Sequence, residues 1–294
     1  MLHIPLTAPS SVTSTPVDAA ALLSRICVSP PYFMLRDLSF DGDTFEAQIN
    51  AQSPQGAEVG PMQGAELSRH TAIAGLCCAA LAQGDDKRRY YLAQQAWYEG
   101  YPSDAPYGTP ITLRAQLDAL SKRTARATIQ ASVSGTALAR LEVTYTILTE
   151  AAFDRLFQSR RQPSAGTFAA LGALPPGCLE RRGPTLVRRL ERVPAGACAG
   201  HFEHYPALPV AILMGQLAQL AGVELGNGQV PYRIVRASVE AQDFCWAGEA
   251  ARFEVTPAER NGDHHTFSCA AYASERLTGS MQLTLVQVQP QEQG

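Results

Sequence analysis

The chain has 294 residues, 46% hydrophobic and 17% charged, a balance that suits one large or two ordinary globular domains and excludes wholesale disorder. Its formal net charge of −3 gives no reason to expect nucleic acid or an anionic membrane as a partner. The seven cysteines are an odd number without metal-ligand spacing and point to a reducing cytoplasm.

Residues 1–16 lack a basic n-region and a long apolar core, so they read as a flexible arm and not as a secretory signal. Residues 17–26 predict a short helix with Asp18 near its start, stopped by Pro30-Pro31. Residues 33–40 and 44–50 are strand-like and flank Asp41-Gly42-Asp43, a hairpin signal. Residues 63–83 predict a helix whose second half is almost wholly apolar, with Cys77-Cys78 as small buried core residues. Four strands are expected at 90–97, 111–117, 125–133 and 138–148, the last two around Ser134-Gly135-Thr136. A short amphipathic helix over 151–161 precedes a Pro-, Gly- and Ala-rich linker over 162–183.

The order then restarts. Strands at 185–193 and 197–203 are expected to form a hairpin around Pro194-Ala195-Gly196, followed by a helix over 210–221 with Gly222 at its C-cap. Strands at 232–240, 250–256, 265–273 and 280–288 complete the half, and the polar tail 289–294 frays. Both halves therefore read strand, strand, helix and four strands. The intervals 200 − 64 and 219 − 83 are both 136 and suggest a duplication. The expected domains are 1–161 with its arm and 184–294, joined by 162–183.

The stretch from Gly200 to Gly222 organises the second half. Its first part, Gly200-His201-Phe202-Glu203-His204-Tyr205-Pro206, is rich in turn formers. The uncharged run from Val210 onward reads as a buried helix too short to cross a bilayer. Pro209 suits the first turn of that helix. A histidine just before it sits where free N–H groups and partial positive charge collect, a setting suited to action on a carbonyl.

Gly200-His201-Phe202, Pro206, Pro209, Leu213, Ala218-Gln219 and Gly222 resemble the signature of the β-hydroxyacyl-ACP dehydratases. The opening helix, proline-tyrosine turn and first hairpin, and the turn from Phe244 to Glu249, resemble that family too. The resemblance implies a hot-dog fold, in which a bent antiparallel sheet wraps one buried helix. With the duplication it implies an α+β double hot-dog whose two sheets pair edge to edge and cover otherwise open edge strands. It also implies an active site between the halves, where a histidine works with a helix acid. This chain departs from that pattern, with Gly215 at the acid position of the second half, and Ala65 and Ala79 at the histidine and acid positions of the first.

A second polar cluster, Glu66-Leu67-Ser68-Arg69-His70, begins the first long helix. Glu66 and His70 are four apart and share a helix face, where a carboxylate raises the basicity of an imidazole. His201 is the candidate polarising or basic group, and Glu66 with His70 the candidate replacement acid/base pair. Arg69 either binds a phosphate or locks Glu66, and Ser68 and Gln216 hold a thioester oxygen or a water. Gly200 and Phe202 complete the candidate substrate-binding set. His264 and His265 are adjacent strand residues that point to opposite faces, so they do not form a joint metal site.

Three functions follow as expectations. The first is cofactor-free dehydration of a 3-hydroxyacyl chain carried by acyl carrier protein or CoA, with a role in fatty-acid or polyketide-type biosynthesis implied by the resemblance. The second is hydrolysis of an acyl thioester by a water activated at Glu66 or His70. The third is non-catalytic acyl binding, favoured by the missing helix acids. Internal pairing permits a monomer as well as a homodimer.

Overall fold

The computed structural model describes residues 14–163 and 168–288. All but the last three residues of the expected N-terminal arm, residues 164–167 of the expected linker and the tail 289–294 lie outside the described residues. The first half contains β1 (Thr15–Pro16), α1 (Ala19–Leu23), β2 (Arg36–Phe40), β3 (Thr44–Ile49), α2 (Gly64–Ala82), β4 (Arg89–Gly100), β5 (Ile111–Leu120), β6 (Thr124–Val133), β7 (Thr136–Thr149) and α3 (Glu150–Phe157). The second contains β8 (Cys178–Arg182), β9 (Thr185–Leu190), β10 (Ala207–Leu208), α4 (Val210–Gly226), β11 (Tyr232–Ala241), β12 (Cys245–Trp246), β13 (Ala251–Asn261), β14 (His264–Ala273) and β15 (Arg276–Gln287).

Thirteen of these strands form one antiparallel sheet in the order β1-β2-β3-β5-β6-β7-β4-β11-β15-β14-β13-β9-β8, while β10 and β12 pair separately. The alternation in the sequence explains the registers. In β7 every second residue from Leu141 to Ile147 is buried, and the same face of the sheet carries Phe45, Ile49, Ile111 and Ile129. Each fully buried side chain of this size contributes roughly 1.5–3 kcal/mol. α2 packs on β3, β5, β6 and β7, α4 packs on β13, β14 and β15, and the two helices touch each other. Both are apolar on most sides because sheet and partner helix enclose them.

The halves join where β4 pairs with β11. The middle of the five paired positions is Trp97 opposite Ser238. Each strand carries a register shift against its other neighbour, at Ala93 in β4 and at Ile234 in β11. The intervals 238 − 97 and 234 − 93 are both 141, so the junction is symmetric about the Trp97–Ser238 pair.

Several local expectations are corrected. Residues 197–203 form no strand. A 3-10 helix at Ala195–Cys198 leads into a turn, and the hairpin partner of β9 is β8, within the segment expected as linker. The edge of the sheet thereby gains a polar strand, which the arginines of residues 178–182 can present to solvent. α4 runs past Gly222 to Gly226 and is capped by Asn227 in the left-handed region. Gly222 instead lies inside the helix because a Cβ there would come within 2.5 Å of the Tyr232 ring. The 136-residue interval does not relate the elements either. The helix starts are separated by 210 − 64 = 146 and the junction strands by 141, because the loop before α4 is longer than the one before α2.

Candidate active site

Gly200 sets the approach to His201. Its φ is +75°, and a Cβ there would overlap the Ser29 carbonyl and lie 2.8 Å from the Tyr32 nitrogen. Only glycine lets residues 27–32 of the first half lie this close. The Ser29 N–H donates to the Gly200 carbonyl at 2.8 Å, the Phe202 N–H donates to the Cys27 carbonyl at 3.2 Å, and Val28 bridges His201. Gly200 is therefore a packing residue of the site. Phe202, itself at φ +60°, stacks on the His201 ring at 3.8 Å and is buried among Tyr90, Phe153 and Tyr205.

His201 donates from Nδ1 to the Ala207 carbonyl at 2.9 Å. A carbonyl only accepts, so Nδ1 is assigned the proton and Nε2 the lone pair. Nε2 makes no hydrogen bond to a described residue. Burial pushes the imidazole down to about 4, against the upward pull of the Ala207 carbonyl. At neutral pH it is an uncharged base.

His201 lines a cavity of about 270 Å³ between the two halves. Its walls include Ala72, Ile73 and Leu76 of α2 and Val210, Ala211 and Leu213 of α4. Through Ala72, Ala93, Val210 and Ala211 it shares a wall with a second cavity of about 70 Å³, lined farther in by Met214, Ala218, Ile234 and Leu283. Together they form an apolar recess between the central helices, with His201 among the lining residues of the larger part.

Three further features bear on chemistry. At the start of α4, Pro209 offers no side-chain cap, and the Ile212 and Leu213 N–H groups donate to its carbonyl at 2.9 and 3.1 Å. The Val210 and Ala211 N–H groups have no partner among the described residues, so the positive end of the helix is open to the cavity these residues line. Tyr32 is only 6% exposed, yet its hydroxyl bonds no described residue. Its ring lies 5.3 Å from that of His201 and 5.5 Å from the Arg69 guanidinium. Burial, eased by Arg69, raises the phenol to about 12, so it stays a donor. Asp243 is the carboxylate of the cavity wall, but Arg276 and the Phe244 N–H hold its two oxygens.

The structure brings Glu66, Arg69 and His70 together, but none of them lines these two cavities. Glu66 accepts the Gln52 N–H at 2.6 Å and the Ser53 N–H at 3.1 Å. Burial would raise its carboxyl, but the His70 and Ser53 side chains and these N–H groups outweigh burial and lower it to about 2. Arg69 reaches Gln52 and lies 2.9 Å from His70 Nε2 and 3.8 Å from Glu66. His70 is fully buried, and its Nδ1 has no partner among the described residues. Burial first, then Arg69, lowers its basicity despite Glu66. Ser68 lines the smaller cavity. Gln216 accepts from Arg188 at 3.0 Å and lines neither cavity. Gly215 faces α2, where a Cβ would lie 3.3 Å from that of Ala65. A side chain there requires α2 to give by a few tenths of an ångström.

The symmetric junction carries a third cavity, of about 20 Å³, that corresponds to the first. Its Gly64 and Leu67 stand 146 residues before Val210 and Leu213, and its Ile234 and Arg233 stand 141 residues after Ala93 and Leu92. It is lined by Glu58, 8% exposed, whose Oε1 accepts the Gly64 N–H at 2.7 Å. Burial pushes the Glu58 carboxyl up to about 7, against that N–H. Sequence reading passes over both Glu58 and Tyr32. Glu58 sits six residues before Gly64, outside any capping spacing, and Tyr32 is separated from Arg69 and His201 by more than thirty residues.

Among the described residues no group of three or more His, Cys, Asp or Glu is placed to hold a metal ion, and no helix is long and apolar enough to cross a membrane.

Compared by sequence, the chain matches no family model and no curated protein. Solved structures match it across most of its length. A protein from Lactobacillus plantarum named as an oleoyl thioesterase aligns with a TM-score of 0.60 at 9% identity, over 84% of this chain and 96% of its own. An acyl-ACP thioesterase from Bacteroides thetaiotaomicron aligns with a TM-score of 0.54 at 10% identity, over 82% and 97%. A hot-dog-fold protein of unknown function from Alicyclobacillus acidocaldarius aligns with a TM-score of 0.50 at 13% identity, over 86% and 96%. At such identities the likeness is one of fold: this chain, an antiparallel sheet packed on two buried helices, has the hot-dog fold.

Proposed function

We propose that this chain is a double hot-dog enzyme that hydrolyses acyl thioesters. The repeated element order and the symmetric Trp97–Ser238 junction support two hot-dog units paired within one chain, the first ending before residue 162 and the second beginning with β8. The observation that carries the reaction is His201: a neutral imidazole with a free Nε2, facing an apolar cavity at the open N-terminus of α4.

The acyl chain lies in the recess between α2 and α4, with its carbonyl oxygen toward the Val210 and Ala211 N–H groups. Nε2 takes a proton from a water as the water oxygen bonds to the carbonyl carbon, and the N–H groups receive the developing oxyanion. As the tetrahedral intermediate collapses, the C–S bond breaks and the imidazolium returns its proton to the thiolate. The products are a carboxylic acid and a free thiol. The names carried by two of the structural neighbours, an oleoyl thioesterase and an acyl-ACP thioesterase, support hydrolysis over dehydration. So does the cavity wall, whose one carboxylate has both oxygens already engaged, by Arg276 and the Phe244 N–H. Glu66 and His70, expected as the acid/base pair, then act as a buried clamp.

The test is a panel of acyl-CoA and acyl carrier protein thioesters, read by mass spectrometry and thiol release, with wild type and His201→Ala. Free thiol and acid that vanish in His201→Ala support hydrolysis. Loss of one water from a 3-hydroxyacyl substrate would instead make the chain a dehydratase. Stoichiometric binding with no turnover across the panel would make it an acyl-binding protein.

A further inference from the structure

The two symmetry-related cavities differ in what occupies the start of the helix. In the smaller one a side-chain carboxylate of the chain itself, Glu58, sits on the first N–H of α2, at Gly64. In the larger one the corresponding first N–H of α4, at Val210, is open. The same cavity is lined by Tyr32, a buried side chain whose hydroxyl has no partner among the described residues, and by His201 with its free Nε2. Glu58 thus displays, in one half of the molecule, the kind of group that completes the other. A carboxyl group accepts from two N–H groups and a phenol O–H, and when protonated it donates to an imidazole nitrogen. The apolar recess behind these groups is nearly twice the ~150 Å³ that holds a benzene ring, so it takes a tail of roughly ten carbons or fewer.

We propose that the larger cavity is a binding site for a free carboxylic acid with an apolar tail, its carboxyl group seated between the Val210 and Ala211 N–H groups, the Tyr32 hydroxyl and His201 Nε2. This rests on the acyl-site reading above for the placement of the tail, and under that reading the acid is the retained product of hydrolysis. Because α4 is open and α2 is closed by Glu58, one acid binds per chain.

The test is calorimetric titration of the full chain with octanoate, with 1-octanol as the probe that keeps the tail and lacks the carboxyl group. Octanoate is expected to bind at one per chain and at least tenfold tighter than 1-octanol. Tyr32→Phe, which removes only the hydroxyl, is expected to weaken octanoate about tenfold and leave 1-octanol unchanged. Val210→Pro deletes the first N–H at a position where proline suits a helix, and is expected to weaken octanoate several-fold. Octanoate binding no tighter than 1-octanol, or equally tight to folded Tyr32→Phe and Val210→Pro, would overturn the proposal. Thioester hydrolysis is measured separately on octanoyl-CoA. Acid binding without hydrolysis keeps this site and removes the hydrolase reading, and hydrolysis without acid binding does the reverse.

Discussion

The His201 imidazole is pinned to the Ala207 carbonyl through Nδ1 at 2.9 Å, six residues farther along the same loop. This bond fixes the ring and leaves Nε2 as the basic atom of the cavity. Removing the ring with His201→Ala is expected to lower kcat of the folded protein by about 10²–10⁴-fold, together with a fall in Tm from the lost packing on Phe202, measured as thiol release and thermal unfolding of the same preparation.

The pH profile follows from the same buried ring. Burial holds the folded imidazole near 4, below its ordinary 6.5, so the neutral base is present at all higher pH. Log kcat/KM is expected to be flat on the acid side down to about pH 5, then to fall with unit slope below about 4. An acid limb centred near 6.5 would mean a solvent-exposed base. The sign for stability is the same: the unfolded state binds the proton first, so the contribution is complete above 6.5 and lost as pH falls toward 4.

Glu58 runs the other way. Its carboxyl is raised from 4.5 to about 7, so the folded state holds the proton longer than the unfolded state. Its contribution to stability is full below about pH 4.5 and is lost as pH rises through 7, by roughly 3 kcal/mol in all. Glu58→Gln keeps an acceptor for the Gly64 N–H without the charge. It is expected to raise Tm above pH 8 and to leave it near the wild-type value at pH 5.

Glu66→Ala tests the clamp against a catalytic role. The substitution frees the Gln52 and Ser53 N–H groups and leaves Arg69 without its carboxylate. Breaking a buried pair of this kind costs about 3–5 kcal/mol. Chemical denaturation is expected to show that loss, while kcat of the folded fraction changes less than threefold. A loss of kcat of a hundredfold or more with stability intact would restore Glu66 to the reaction.

Gly200→Ala puts a Cβ against Ser29 and Tyr32 at a φ of +75°. The expected loss is at least ~2 kcal/mol, together with a rise in KM, because residues 27–32 carry Tyr32 into the cavity wall. Equilibrium unfolding and steady-state kinetics read the two effects.

Much of the architecture was legible in the sequence because the physics involved is local. Period-two alternation in residues 140–147 placed a half-buried strand, the uncharged runs in α2 and α4 announced enclosed helices, and Pro209 marked the first turn of α4. Where several residues compete for one space, local pattern was not enough. Gly222 looks like a helix end and is instead the place where Tyr232 crosses α4. Glu66 and His70 share a helix face, but whether that face meets the cavity depends on how α2 lies against residues 52 and 53. The pairing of Tyr32 with His201 and the recess between α2 and α4 are set by the β4–β11 junction and the packing of α2 on α4. These join residues far apart in the chain, through contacts that no single stretch of sequence contains.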